Sequence, residues 1–136
     1  MHLKTLGIAE HNVEKQWAVE FHPEFDPEFM QLPEAIQQMI LARADLLRKF
    51  GPQLGRPQVD TLKGSKHPNM KELRFRADSG AWRVAFAFDL KRRAILLVGG
   101  DKSGVSKDRF YRNLIEIADQ RFDQHQRAVA AGKEKQ

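Results

Sequence analysis

Arg74, Arg76 and Arg83 fall in two short segments of alternating character. Met70-Lys-Glu-Leu-Arg-Phe-Arg76 and Trp82-Arg-Val-Ala-Phe-Ala-Phe-Asp89 both alternate apolar with other residues, and Ala77-Asp-Ser-Gly-Ala81 interrupts them. Period-two alternation marks a half-buried strand, so the pair predicts a β-hairpin. Parity assigns Leu73, Phe75, Val84, Phe86 and Phe88 to a core face, with Trp82 among them. Glu72, Arg74, Arg76, Arg83, Ala85, Ala87 and Asp89 take the other face. If Phe75 pairs with Val84, Arg76 stands across from Arg83. Facing like charges destabilise a strand pair, so the face calls for anionic compensation from Glu72, Asp89, a phosphate or an acidic partner. Ala85 and Ala87 predict a shallow concavity beside the arginines, open to a backbone or a base. Guanidinium suits phosphate oxygens, which it binds two at a time.

The charge distribution points the same way. Lys63 to Arg112 holds 13 Lys/Arg against 5 Asp/Glu, a local balance of +8, whereas the first 62 residues carry −3 and the last 24 are neutral. The whole net charge of +5 therefore arises in one central block. Positive charge concentrated this way implies a polyanion partner, most often nucleic acid. Lys63, Lys66, His67 and Lys102 lie in the same block. His67, in Lys66-His-Pro68, and Tyr111, the single tyrosine, are side chains that could move protons near such a face.

Gly99-Gly-Asp-Lys-Ser-Gly104 lacks the spacing of a nucleotide-binding phosphate loop, which argues against nucleotide hydrolysis. The other histidines show no ligand spacing, and there is no cysteine, so neither a metal site nor a cofactor is expected. The N-terminus has no signal-peptide pattern and no apolar run reaches membrane-spanning length, so a cytoplasmic protein with no membrane association is expected.

These side chains need a frame to hold them. A chain of 136 residues, 41% apolar, predicts one domain. Residues 1–15 are weakly patterned and expected to be a loose extension. The domain spans 16–127, and 128–136 is expected to be a frayed tail. Trp17 to Phe21 suits a first strand, and His22 to Phe29 a turn or brief helix. Leu32, Ile36, Met39, Ile40, Leu47 and Phe50 recur at helical spacing, predicting a helix from Pro33 to Phe50. Residues 51–69 carry three Pro and three Gly and predict a loop. The hairpin follows, then a turn at Lys91-Arg92, a strand over 93–99, a flexible loop over 99–104, and a helix from Ser106 to His125. Phe110, Leu114, Ile117, Ala118 and Phe122 form that helix's inner face. The order predicts an α+β fold, with helices on one face of a small antiparallel sheet.

Leu62-Lys-Gly64, Glu72-Leu-Arg74, Trp82-Arg-Val-Ala-Phe86, Ile95-Leu-Leu-Val98 with Gly-Gly-Asp-Lys102, and Phe110-Tyr111 occur in an order and spacing that resembles the RelE/ParE superfamily of toxin components. The HigB-like, phage-associated branch fits best, over residues 17–125. The resemblance implies an antiparallel sheet with two N-terminal helices and a C-terminal helix. It implies a toxin of a toxin–antitoxin module that cuts messenger RNA in the ribosome. It also implies a cognate antitoxin, of helix-turn-helix type, as partner. Carried over by motif, the aromatic–Arg–hydrophobic arginine is Arg83, the Gly-x-Lys lysine is Lys102, and the basic residue opening the hairpin is Arg74, with Arg76 two residues on. Lys63 precedes Gly in the Leu-basic-Gly motif, and the C-terminal tyrosine is Tyr111. The chain departs from the pattern at Glu72, where some ribosome-dependent members carry Lys, and in its N-terminal extension.

Cleavage through the 2′-hydroxyl needs a base, a cation facing the developing phosphorane charge, and an acid for the leaving 5′ oxygen; no metal is required. Arg83, Arg74 and Lys102 suit the charge, and His67 or Tyr111 the proton transfers. Lys63, Lys66 and Arg76 would bind RNA. Two other readings remain: a ParE-like toxin that inhibits gyrase by contact alone, and a non-catalytic module that binds nucleic acid or antitoxin.

Overall fold

A computed structural model describes residues 16–133. The expected extension 1–15 and the last three residues lie outside the described residues. The elements are β1 (Ala18–Phe21), α1 (Phe25–Met30), α2 (Glu34–Phe50), a 3-10 turn (Gly51–Gln53), β2 (Val59–Thr61), β3 (Lys71–Ala77), β4 (Gly80–Phe88), β5 (Arg93–Asp101) and α3 (Lys107–Ala130). The sheet runs β1-β5-β4-β3-β2. Its pairings are antiparallel except β1 with β5, which is parallel and reached by way of α1, α2 and the hairpin strands.

The helices cover both faces of this sheet, not the single face expected. Phe25 and Phe29 of α1 and Ile36, Ile40 and Leu47 of α2 pack on Leu73, Phe75, Val84, Phe86 and Leu96. Leu114, Ala118 and Phe122 of α3 pack on Ala85, Ala87, Ile95 and Leu97. The reason is visible along β5, where Ala94 to Val98 are all buried. A continuous apolar run marks a strand sandwiched between two layers rather than one with a wet face. Ala85 and Ala87 accordingly form no concavity; their small side chains let α3 lie close against the sheet.

Four further expectations need correction. The segment 51–69 contains the short strand β2, which its prolines and glycines concealed. Phe50 is half exposed and leaves the apolar stripe of α2. The last helix continues to Ala130, five residues past His125. The glycines at 99 and 100 belong to β5, which runs on to Asp101. A Cβ at Gly100 would lie 3.1 Å from Phe110 Cε1, so glycine there lets the start of α3 seat on the strand.

The hairpin register also differs. Asp78 and Ser79 form a two-residue turn with φ of 51° and 64°, the left-handed geometry whose twist matches paired strands. Phe75 then pairs with Trp82, and Arg83 stands opposite Arg74 rather than Arg76. Gly80 is inside the ladder because a Cβ would sit 2.6 Å from an Asp101 carboxylate oxygen. The shift is by an even number of residues, so every side chain keeps the face that parity gave it.

Candidate active site

The site lies where the start of α3 crosses β3 and β4. Ser106 caps α3 by accepting from the Arg109 N–H, which fixes where the helix begins. One turn in, Tyr111 points down onto the sheet. Its hydroxyl donates to Glu72 Oε1 at 2.9 Å and accepts from Arg83 Nε at 3.2 Å. Arg83 Nη1 also donates to the Trp82 carbonyl at 2.9 Å, and Arg83 Nε lies 3.7 Å from Glu72 Oε1. Glu72 and Arg83 are only 5% and 7% exposed, so a carboxylate, a phenol and a guanidinium form one buried polar cluster. Low local dielectric strengthens each of these contacts.

The arginines flanking this cluster are held in different ways. Arg74 Nη1 donates to Asp60 Oδ2 at 3.2 Å, across the β2–β3 pairing. Arg76 is exposed near the hairpin turn. A cleft of about 360 Å³ is lined by Arg74, Arg76 and Arg83 together with Pro57, Ala81 and Arg43. Lys102 enters from the end of β5. Its N–H donates to the Ala81 carbonyl, and Asp101 braces the turn by accepting from the Ala81 N–H and from both the backbone and hydroxyl of Ser103.

The environment moves three of these groups. Burial pushes the Glu72 carboxyl above the usual carboxylate range, against the opposing pull of the Tyr111 hydroxyl, Arg83 and Arg74. Burial likewise raises the Tyr111 phenol, with Glu72 adding to the effect and Arg83 opposing it. Desolvation and then the neighbouring cations Arg83, Lys107 and Arg74 hold Lys102 below the ordinary lysine range. The three shifted groups gather around Arg83, which lines the cleft, an arrangement suited to acid–base chemistry.

Arg83, Arg74, Arg76, Tyr111 and Lys102 therefore come together. Lys63 is exposed beside Gly64, whose Cα faces Ile115 one turn along α3 from Tyr111. His67 and Lys66 sit elsewhere. His67 Nε2 is hydrogen-bonded to Asp123 Oδ1 at 2.9 Å, its ring stands edge-on to Phe122, and Lys66 forms an ion pair with Asp123. Asp123 lies twelve residues along α3 from Tyr111, about 18 Å at the rise of an α-helix. Lys66 and His67 pin the 62–69 loop to the far half of α3. Three residues of the site escaped the sequence reading. Glu72 was read as compensating charge on this face and as a departure from the family pattern, but not as a member of the site. Asp60 was hidden in the supposed loop. Arg43 lies on a helix whose apolar stripe alone was legible. Among the described residues, no group of three or more His, Asp or Glu side chains is arranged to hold a metal ion.

Residues 27–123 match the family of phage-derived Gp49-like proteins (DUF891). The chain belongs to that family, and its relatives carry the HigB name. The toxin-named HigB3 of Mycobacterium tuberculosis is 47% identical over 106 residues, covering 78% of this chain and 90% of that relative. HigB2 of the same organism is 42% identical over 89 residues, 65% of this chain and 44% of the relative's length. A mutant form of the E. coli toxin RelE in the free state superposes with a TM-score of 0.54 at 10% identity, over 74% of this chain and 95% of that one. At that identity the likeness speaks for the fold. This Gp49-like protein thus shares with RelE the arrangement of a small sheet carrying helices.

Proposed function

We propose that this Gp49-like protein is the toxin of a toxin–antitoxin module, and that it is a metal-independent endoribonuclease acting on messenger RNA in the ribosome. The observation that carries this reading is the buried Arg83–Tyr111–Glu72 cluster opening onto a cleft walled by arginines. A gyrase inhibitor working by surface contact has no use for a carboxylate and a phenol with raised pKa values beneath a guanidinium. The HigB names of its relatives support the toxin role and, with it, a cognate antitoxin as partner, which we take to be a helix-turn-helix protein.

In this reading the scissile phosphate lies over Arg83, whose guanidinium meets the developing negative charge. Arg74, directly across the ladder, holds a second non-bridging oxygen. Tyr111 takes the proton of the attacking 2′-hydroxyl as it passes its own to Glu72. The 2′ oxygen closes onto phosphorus, and the 5′ oxygen leaves with a proton from Lys102, whose lowered pKa makes it a better acid than an ordinary lysine. Glu72 is a positioning residue and proton acceptor that acts through Tyr111. Lys63 and Arg76 bind the flanking backbone.

The test is inducible expression in a bacterium with mapping of transcript ends, comparing wild type with Arg83→Ala. Growth arrest with cuts inside translated messages, lost in the variant, is expected. Arrest with intact transcripts and gyrase-linked DNA damage would instead favour the ParE-like reading.

A further inference from the structure

We propose that Arg43 of α2 completes a phosphodiester-binding subsite that wraps around the open edge of β3 and holds the RNA backbone one nucleotide away from the phosphate at Arg83. This rests on the endoribonuclease reading and extends it to an element on the opposite face of the sheet.

The edge is open for a definite reason. β2 pairs with β3 only from Val59 opposite Leu73 to Thr61 opposite Lys71, and the last contact is the Arg74 N–H donating to the Gln58 carbonyl at 2.8 Å. Pro57 comes next, outside the strand, and no further pairing of this segment with β3 follows. Phe75 to Ala77 are therefore uncovered on that side. Backbone groups alternate along a strand, so the Arg76 N–H points out of the same edge as the Arg74 N–H, with no strand to meet it.

The cleft of about 360 Å³ begins there, and four of its lining residues are Arg43, Arg74, Arg76 and Arg83. Two of these have partners: Arg74 has Asp60, and Arg83 has Tyr111 and Glu72. The side chains of Arg43 and Arg76 make no hydrogen bond or ion pair with any described residue. Arg43 is instead braced on an aromatic ring, its Cζ 5.9 Å from the Phe75 centroid, and its Nε is buried without a hydrogen-bond partner among the described residues. An unmatched buried donor on a charged group is costly and asks for an acceptor. The two unmatched guanidiniums flank the open edge, one reached from each face of the sheet. A phosphodiester lying across the edge would bridge them and accept from the Arg76 N–H between. Phe75, buried under Arg43, offers no free ring for a base, so the subsite reads backbone rather than sequence.

The test is fluorescence-anisotropy binding of a short single-stranded 2′-O-methyl RNA, which cannot be cut, to the purified full chain over a salt series. Wild type, Arg43→Ala and Arg83→Ala are compared. Arg43→Ala is expected to bind about tenfold more weakly, with the slope of log affinity against log salt reduced by roughly 0.7, the loss of one single-strand phosphate contact. Where Arg43→Ala does not fold, as judged by circular dichroism, Arg43→Gln keeps a stem over Phe75 without the charge and gives the same reading. If Arg83→Ala weakens binding and the Arg43 variant matches wild type in affinity and slope, the subsite is wrong and the nuclease reading stands. If neither variant changes binding, both fall. If the RNA is not bound but polyglutamate is, in an Arg43-dependent way, the edge is a protein-docking surface and the subsite is overturned.

Discussion

Arg74 and Arg83 face each other directly across the β3–β4 ladder. The Arg74 N–H is turned toward Gln58, just before β2, so the two arginines form the closer, non-hydrogen-bonded kind of pair, with Cα atoms about 4.5 Å apart. Two guanidiniums in that relation repel. Each is relieved from its outer side, Arg74 by Asp60 and Arg83 by the Tyr111–Glu72 pair.

The first prediction follows from that tension. Arg74→Ala removes the repulsion and leaves Asp60, a third exposed, near Arg56. Its melting temperature should equal or exceed that of wild type, by up to about 1 kcal/mol of stability. Its cleavage rate on a defined message should fall at least about tenfold, as for a lost charge-stabilising contact. Thermal denaturation and a primer-extension cleavage assay check the two halves. A variant both less stable and fully active would show that the pair serves the fold.

Glu72 gives a pH signature. Catalysis in the proposed sequence needs the unprotonated carboxylate, so the rate falls as pH drops through its folded pKa. Burial raises that pKa, which moves the acidic limb of the kcat/KM profile above the range of ordinary carboxylates. Glu72→Gln should lower kcat/KM by about a hundredfold or more, and the residual rate should lose that limb. A profile whose acidic limb survives the substitution would assign the limb to another group.

Much of this arrangement was legible in the residues themselves. Parity placed Glu72, Arg74 and Arg83 on one face because side-chain alternation is indifferent to an even register shift. The register itself was not legible, because Ala77-Asp-Ser-Gly-Ala81 permits several turn lengths. Only the left-handed backbone at Asp78 and Ser79, with Gly80 pressed against Asp101, selects the two-residue turn. The covering of Ala85 and Ala87 by α3 was misread for a related reason: alanines on a strand face fit both a shallow groove and a closely packed helix. Long-range pairings such as Arg83 with Tyr111, or His67 with Asp123, join segments whose meeting is set by the whole fold and not by any local pattern.

His67 shows the consequence. Bound to Asp123 and set against Phe122, it sits far from Arg83. His67→Ala should keep cleavage within about threefold of wild type while lowering stability by about 1 kcal/mol, the ordinary net value of a hydrogen bond. Urea denaturation and the same cleavage assay separate the two effects. A hundredfold loss of cleavage at unchanged stability would return His67 to the chemistry.

At the opposite end of the sheet, Asp89 gathers four donors. Its carboxylate is hydrogen-bonded to His125 Nε2 at 2.8 Å and accepts from Arg93 Nε at 2.8 Å, the Lys91 N–H at 2.9 Å and the Arg93 N–H at 3.1 Å. Burial works against the charge, but the bonds to His125 and Arg93 prevail, and the folded pKa lies below the ordinary aspartate value of 3.8. A depressed folded pKa means that the unfolded chain takes up the proton first. The stability Asp89 contributes is therefore complete above the unfolded value and is lost as pH falls through it toward the folded one. Asp89→Asn should cost about 3 kcal/mol at neutral pH, because Arg93 loses its buried carboxylate partner and His125 the acceptor at its Nε2. The gap between wild type and variant should narrow as pH falls below about 4, where wild type forfeits the same interactions. Urea midpoints followed by tryptophan fluorescence across that range decide it: a gap that stays constant would mean Asp89 holds its neighbours by shape rather than by charge.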